Sequence, residues 1–199
     1  MIAPLGPEHV DQVAKLHCAA LTGLLSELGE TAARAFYTGC VRTGASAGFV
    51  DLQQGEVRGF VLGSVHPGKV KRAVAGDNPA GILAGLLRGV LRRPAALGWI
   101  LKSFHGPDEG GYDGESPELT YLAVSSASRG SGIGKSLVAA FTRAMREAGV
   151  PAYELSVDDA NERAAAFYEG RGFTSIGRYR EFGVLHRRYR LQFIPPSKE

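Results

Sequence analysis

From Glu118 to Val157 the chain reads as strand, glycine turn, helix and strand, and no other stretch limits the fold so tightly. The run ELTYLAV, Glu118 to Val124, is nearly continuous in apolar and β-favouring residues, the pattern of a strand covered on both faces. RGSGIGK follows at Arg129 to Lys135. Ile133, Leu137, Val138, Phe141 and Met145 then recur at helical spacing ahead of Gly149, and Tyr153, Leu155 and Val157 alternate as a second strand. Together these make a βαβ unit, whose crossover is almost always right-handed.

Upstream, Pro7 and Glu8 suit a first helical turn, and Val10, Val13, Leu16 and Ala20 continue it. A second helix is expected over Thr31 to Val41. Gly48 to Leu52 and Val57 to Val65 read as antiparallel strands joined through Gln54-Gly55. A helical insertion at about 66–117 comes next. Asn78 before Pro79 starts a helix whose stripe is Ile82, Leu83, Leu86, Leu87, Val90 and Leu91, and Pro94 breaks it. Leu97, Trp99, Ile100, Leu101 and Phe104 suggest a second helical piece folding back on the first. Downstream of the βαβ unit, a short helix is expected from about Asn161 to Glu169, then strands over Phe173 to Tyr179 and Val184 to Phe193. In the last strand Tyr189, Leu191 and Phe193 share one face, and Arg188 and Arg190 the other. The 199 residues suit one domain carrying the insertion.

Composition removes several classes of function. Cys18 and Cys40 are too few for a disulfide framework or a cysteine-built zinc site, and a reducing cytoplasm is the expected compartment. The five histidines show no metal-ligand spacing, so no metal is expected. MIAPLGPEHVDQ lacks the features of a secretory signal, and Arg88, Arg92 and Arg93 interrupt the apolar region from Pro79 to Leu101, which argues against stable membrane insertion. A net charge of +3 is too small to argue for nucleic acid. Its distribution is uneven. Seven basic residues lie between His66 and Phe104 against the one acid Asp77, and Asp108, Glu109, Asp113 and Glu115 follow among glycines.

The glycine turn looks built for an anion. A Walker loop would need glycine where Arg129 stands, and a dinucleotide fingerprint would need glycine at Lys135, so both fail. What remains is R-x-x-G-x-G at Arg129, Gly132 and Gly134. A helix starting there aims unpaired backbone N–H groups and the positive end of its dipole at whatever lies in front. Glycines remove side chains that would block close approach, and Arg129 adds a charge at the rim. A tight strand-to-helix turn without a ligand would use the same glycines.

The strand ELTYLAV, the turn RGSGIG and the segment NERAAAFYEGRGF (Asn161 to Phe173), in this order and separation, resemble the GNAT superfamily of N-acetyltransferases. The resemblance implies an α/β (α+β) fold with a mixed, largely antiparallel central sheet. Its two central parallel strands splay apart between flanking helices. It also implies acetyl-CoA as acyl donor. Arg129, Gly130, Ser131, Gly132, Ile133, Gly134 and Lys135 would hold the pyrophosphate, and Leu122, Ala123 and Val124 would pair through backbone with the pantetheine arm. One N–H of those three would polarise the thioester carbonyl. An alkyl amine is mostly protonated at neutral pH, so acetyl transfer to it needs a proton acceptor. The resemblance places Glu118 as that base and Tyr168 as the acid near the departing sulfur. A strand-entry role for Glu118 and a packing role for Tyr168 remain open, as does a choice between helix cap and cofactor contact for Asn161.

The resulting expectation is an N-acetyltransferase acting on a primary amine of a small molecule. A protein amine as acceptor and a non-catalytic coenzyme A-binding module are the alternatives. The insertion suits a lid over the acceptor, or a helical hairpin burying its stripe against the core or a second subunit of a homodimer; docking on anionic lipid through Trp99 and the arginines ranks below these.

Overall fold

The computed structural model describes residues 1–77, 79–92, 98, 115–181 and 183–193. In chain order its elements are β1 (Ile2–Pro4), α1 (Val10–Ala20), α2 (Leu24–Leu28), α3 (Glu30–Thr43), β2 (Ala47–Gln53) and β3 (Glu56–Ser64). Then come α4 (Pro67–Asp77), α5 (Pro79–Arg92), β4 (Glu118–Val124), α6 (Ile133–Glu147), β5 (Ala152–Asp158), α7 (Glu162–Glu169), β6 (Thr174–Glu181) and β7 (Val184–Gln192). The strands form one sheet in the order β1-β2-β3-β4-β5-β7-β6, antiparallel everywhere except between β4 and β5. This is the mixed, largely antiparallel sheet expected from the sequence.

Each face of the sheet has its own core. On one, α6 and α7 bury Leu137, Phe141, Met145 and Tyr168 against Leu119, Tyr153, Leu155 and Tyr189. On the other, α1, α3 and α4 bury Val13, Tyr37 and Val74 against Val50, Phe60, Leu62 and Ala123. The β2–β3 hairpin turns through Gln54 (φ 51°) and Gly55 (φ 82°), the pair of left-handed residues that a two-residue turn between right-twisted strands requires.

Three elements go beyond the sequence reading. β1 and α2, of three and five residues, are too short for periodicity to reveal. α4 precedes the helix expected from Pro79, and its basic surface hid Val70 and Val74, which pack into the α3-side core. Asn78, the residues Leu97, Trp99, Ile100, Leu101 and Phe104 of the expected second helical piece, and the acidic loop up to residue 114 lie outside the described residues. No helix among the described residues is long and apolar enough to cross a membrane.

The second core encloses one titratable group. His17 is 1% exposed, and its Nδ1 lies 2.7 Å from the Tyr37 hydroxyl. Desolvation lowers its pKa from 6.5 to about 4. Between those values the unfolded chain binds a proton that the folded chain refuses, so stability falls as pH drops from 6.5 toward 4, by up to about 3 kcal/mol. Urea unfolding of wild type and His17→Asn at pH 7 and pH 4.5 measures this, because other titrating groups are common to both proteins. Equal acid sensitivity in the two would remove His17 as the cause.

Candidate functional site

β4 and β5 pair at a single register position, Glu118 with Glu154, supported by Glu154 N–H donating to Pro117 O at 2.8 Å. Beyond it the strands part. β5 spends its other edge on β7 from Ala152 to Asp158, and β4 spends its other edge on β3. Among the described residues, the backbone of Leu122, Ala123 and Val124 therefore has no strand partner on the β5 side. The cause of the parting is local. The β3–β4 register shifts between Leu62 and Gly63, which pair with Tyr121 and Leu119, so Thr120 is an extra residue. Such a bulge bends its strand and raises its twist. It also changes which side chains share a face. Leu119, Leu122 and Val124 join the α6 side, whereas Tyr121 and Ala123 join the α1–α3 side.

At its open end the gap meets the glycine turn. Gly130 and Gly132 hold φ of 82° and 83°, a left-handed conformation that a Cβ would strain. Gly132 is the N-cap of α6, and the first amide bonded back into the helix is Ser136 N–H to Gly132 O at 3.1 Å. The amides of Gly130 to Lys135 donate to no other described residue, which leaves six successive donors at the positive end of a fifteen-residue helix. Arg129, Ser131 and Lys135 are exposed beside them. A cradle of this kind fits a pyrophosphate. A Cβ on Gly134 would stand 3.4 Å from the Phe167 ring and 3.8 Å from Val124, so α7 packs directly behind the end of β4.

Tyr168 lies next to Phe167 on α7, buried against Phe173 and Phe167 with ring centroids 5.4 and 5.1 Å away. Burial, with Tyr153 adding to it and Arg171 opposing, pushes its hydroxyl well above the ordinary tyrosine value, so the group stays protonated. Asn161 caps α7, its Oδ1 accepting from Ala164 N–H at 3.0 Å. Of the two roles left open for Asn161, capping is the one with a partner in the structure.

At the closed end Glu118 is 9% exposed and sits in an ion network that the sequence did not announce. Arg188 Nη1 lies 3.5 Å from Glu118 Oε1, while its Nε donates to Glu154 Oε2 at 2.8 Å and its Nη1 to Ser156 Oγ at 2.8 Å. Arg190 donates twice to Glu154 Oε1, at 2.9 and 2.6 Å, and Tyr179 donates to Ser156 Oγ at 2.9 Å. Two carboxylates opposed on adjacent strands would repel each other in a buried setting, and the arginine between them offsets that cost. Burial raises the Tyr121 hydroxyl, with Cys40, Glu118 and Glu181 adding to the shift. Glu118 thus belongs to the α1–α3 side and Tyr168 to the α6–α7 side, with the gap between the strands separating them. A cavity of about 270 Å³ lined by Pro117, Glu154 and Arg190 opens at the closed end, opposite the glycine turn.

The sequence reading missed Glu154 and Arg188. Alternation assigned Arg188 to a polar face, but Arg188 is 6% exposed, while Arg190 on the same face stays exposed. No local signal pointed to the pair, because β5 and β7 become neighbours only through the sheet order.

Comparison with known proteins agrees with this fold. The acetyltransferase (GNAT) family model matches residues 10–173. A mycothiol acetyltransferase of Nocardiopsis dassonvillei is 39% identical over 80 residues, covering 40% of this chain and 24% of that protein. One from Propionibacterium freudenreichii subsp. shermanii is 36% identical over 100 residues, covering 50% and 29%. The chain thus spans only 24% and 29% of the length of these two curated relatives. Among solved structures, one described as an acetyltransferase superposes with a TM-score of 0.63 at 19% identity, covering 96% of this chain and 98% of its own. The Salmonella typhimurium protein yncA, solved with its cofactor acetyl-CoA, gives 0.61 at 13% identity, covering 100% and 96%.

Proposed function

The chain belongs to the acetyltransferase (GNAT) family, and from that membership we propose that it moves acetyl from acetyl-CoA to a primary amine of a small molecule by direct attack. The observation that carries the reading is the gap between β4 and β5, which runs from a buried carboxylate at Glu118 to six amides at the N-terminus of α6 with no acceptor among the described residues. Acetyl-CoA supplies an activated thioester. Around it the amides of Gly130 to Lys135 would hold the pyrophosphate, with Arg129 at the rim. The backbone of Leu122 to Val124 would complete a strand-like pairing with the pantetheine arm and aim an N–H at the thioester carbonyl. Glu118 would take the proton from the incoming ammonium, held in place by Arg188 as its positioning partner.

Tyr168 would protonate the departing thiolate. Because burial keeps its phenol protonated, Tyr168→Phe is expected to lower kcat by about tenfold to a hundredfold with acetyl-CoA affinity unchanged. Stopped-time assays beside calorimetry test this, and an equal loss of affinity would assign Tyr168 to packing.

Partial similarity to mycothiol acetyltransferases supports a small-molecule acceptor. A protein amine is the second reading, and one observation favours it. α4 and α5 pack on α3, and α5 also on α2, so the described part of the expected lid lies against helices rather than across the gap. Release of thiol from acetyl-CoA against amino sugars and their nucleotides, polyamines, amino acids and short peptides decides between the two. Saturable turnover with peptides alone would overturn the small-molecule reading. Cofactor binding without turnover on any amine would leave a non-catalytic coenzyme A-binding module.

A further inference from the structure

We propose that α5 docks the protein on an anionic phospholipid surface. Three of the five exposed large apolar side chains among the described residues lie on this one helix, at Leu83, Leu87 and Leu91, 57%, 57% and 81% exposed. Their spacing of four residues sets them in a single row. An amphipathic helix of a soluble domain turns such a row inward, yet the inward face of α5 is already occupied. Gly85 and Gly89 press against Ala32 and Leu28, and Leu86 packs into the same small cluster. The leucine row is therefore a second apolar face on an anchored helix. A contiguous exposed patch of this kind marks an interaction surface, whereas scattered apolar residues would not.

Charge names the occupant. The helix sequence PAGILAGLLRGVLR contains no acid, and Arg88 is exposed beside Leu87. In α4 and α5 the exposed basic side chains of Lys69, Arg72 and Arg88 stand against one acid, Asp77, whose carboxylate lies 3.6 Å from Arg42 and is turned to that partner. A second copy docked about a two-fold axis would set this basic surface against itself, and like-charge juxtaposition of that kind costs affinity. An acidic headgroup layer over a hydrocarbon boundary answers both features: leucines enter the boundary, and arginines extend to the headgroups. The arrangement is that of a helix lying in the interface plane.

Sedimentation of the full chain with phosphatidylglycerol vesicles at low salt is the test, with phosphatidylcholine vesicles alongside. Binding is expected to phosphatidylglycerol only. Leu87→Glu should weaken it by about tenfold or more, and Arg88→Glu by about tenfold. Ile176→Glu, which replaces an exposed apolar residue on β6, should leave it unchanged. Circular dichroism and acetyl-CoA binding verify that each variant is folded. Equal binding to both vesicle types, no binding to phosphatidylglycerol, or wild-type affinity in Leu87→Glu would each overturn the proposal. Self-association that Leu87→Glu abolishes, without vesicle binding, would reassign the row to contact between copies of this chain.

Discussion

Glu118→Gln is expected to lower kcat by about a hundredfold to ten-thousandfold while leaving acetyl-CoA affinity unchanged, the range seen when a positioned general base is removed. Glutamine keeps the volume and an acceptor oxygen near Arg188 but loses the charge that an ammonium proton needs. The fold should tolerate the change because Arg188 keeps its bonds to Glu154 and Ser156. Affinity should hold because the amide cradle begins beyond the opposite end of β4. Glu154→Gln is the contrast. Glu154 accepts from both Arg188 and Arg190, so its loss removes the carboxylate that the buried Arg188 meets at 2.8 Å and should lower thermal stability first. Turnover of Glu118→Gln within twofold of wild type, on the substrate found by the amine panel, would exclude Glu118 as the base.

Gly63→Ala should cost roughly 3 kcal/mol or more, a fall in Tm of about 10 °C for a chain of this size. A Cβ at position 63 would stand 2.2 Å from the Glu118 carbonyl oxygen and 2.5 Å from the Phe141 ring. The ring could yield, but the carbonyl belongs to the backbone of the strand paired with Gly63, so β4 itself must move. That movement falls at the bulge, so cofactor affinity should decline along with stability, unlike the result for Glu118→Gln. Scanning calorimetry with and without acetyl-CoA measures both. A Tm within about 2 °C of wild type would mean that β3 and β4 part more easily than their spacing implies.

Much of this architecture was legible in the amino-acid order. ELTYLAV, the spacing of Ile133 to Met145 and the alternation at Tyr153 gave β4, α6 and β5 to within a residue or two, because each carries one uninterrupted period. The bulge was not legible. A strand pattern assumes a period of two, and Thr120 looks like any other member of the run until the pairing of β3 reveals it as surplus. The ion network escaped for a related reason: Arg188 and Glu154 belong to strands whose adjacency follows from sheet order, which local pattern does not encode. His17 likewise sits on a helix face whose depth depends on Tyr37, twenty residues away.

The single rung joining β4 to β5 has a consequence for the lifetime of the protein. An open seam through the middle of a sheet is an incomplete structure, and the extended ligand proposed for it would become part of the masonry. Ligand at a hundred times its dissociation constant adds about 2.7 kcal/mol to the folded state. The population that escapes proteolysis would then rise and fall with the supply of acyl donor, so that abundance itself reports on metabolic state.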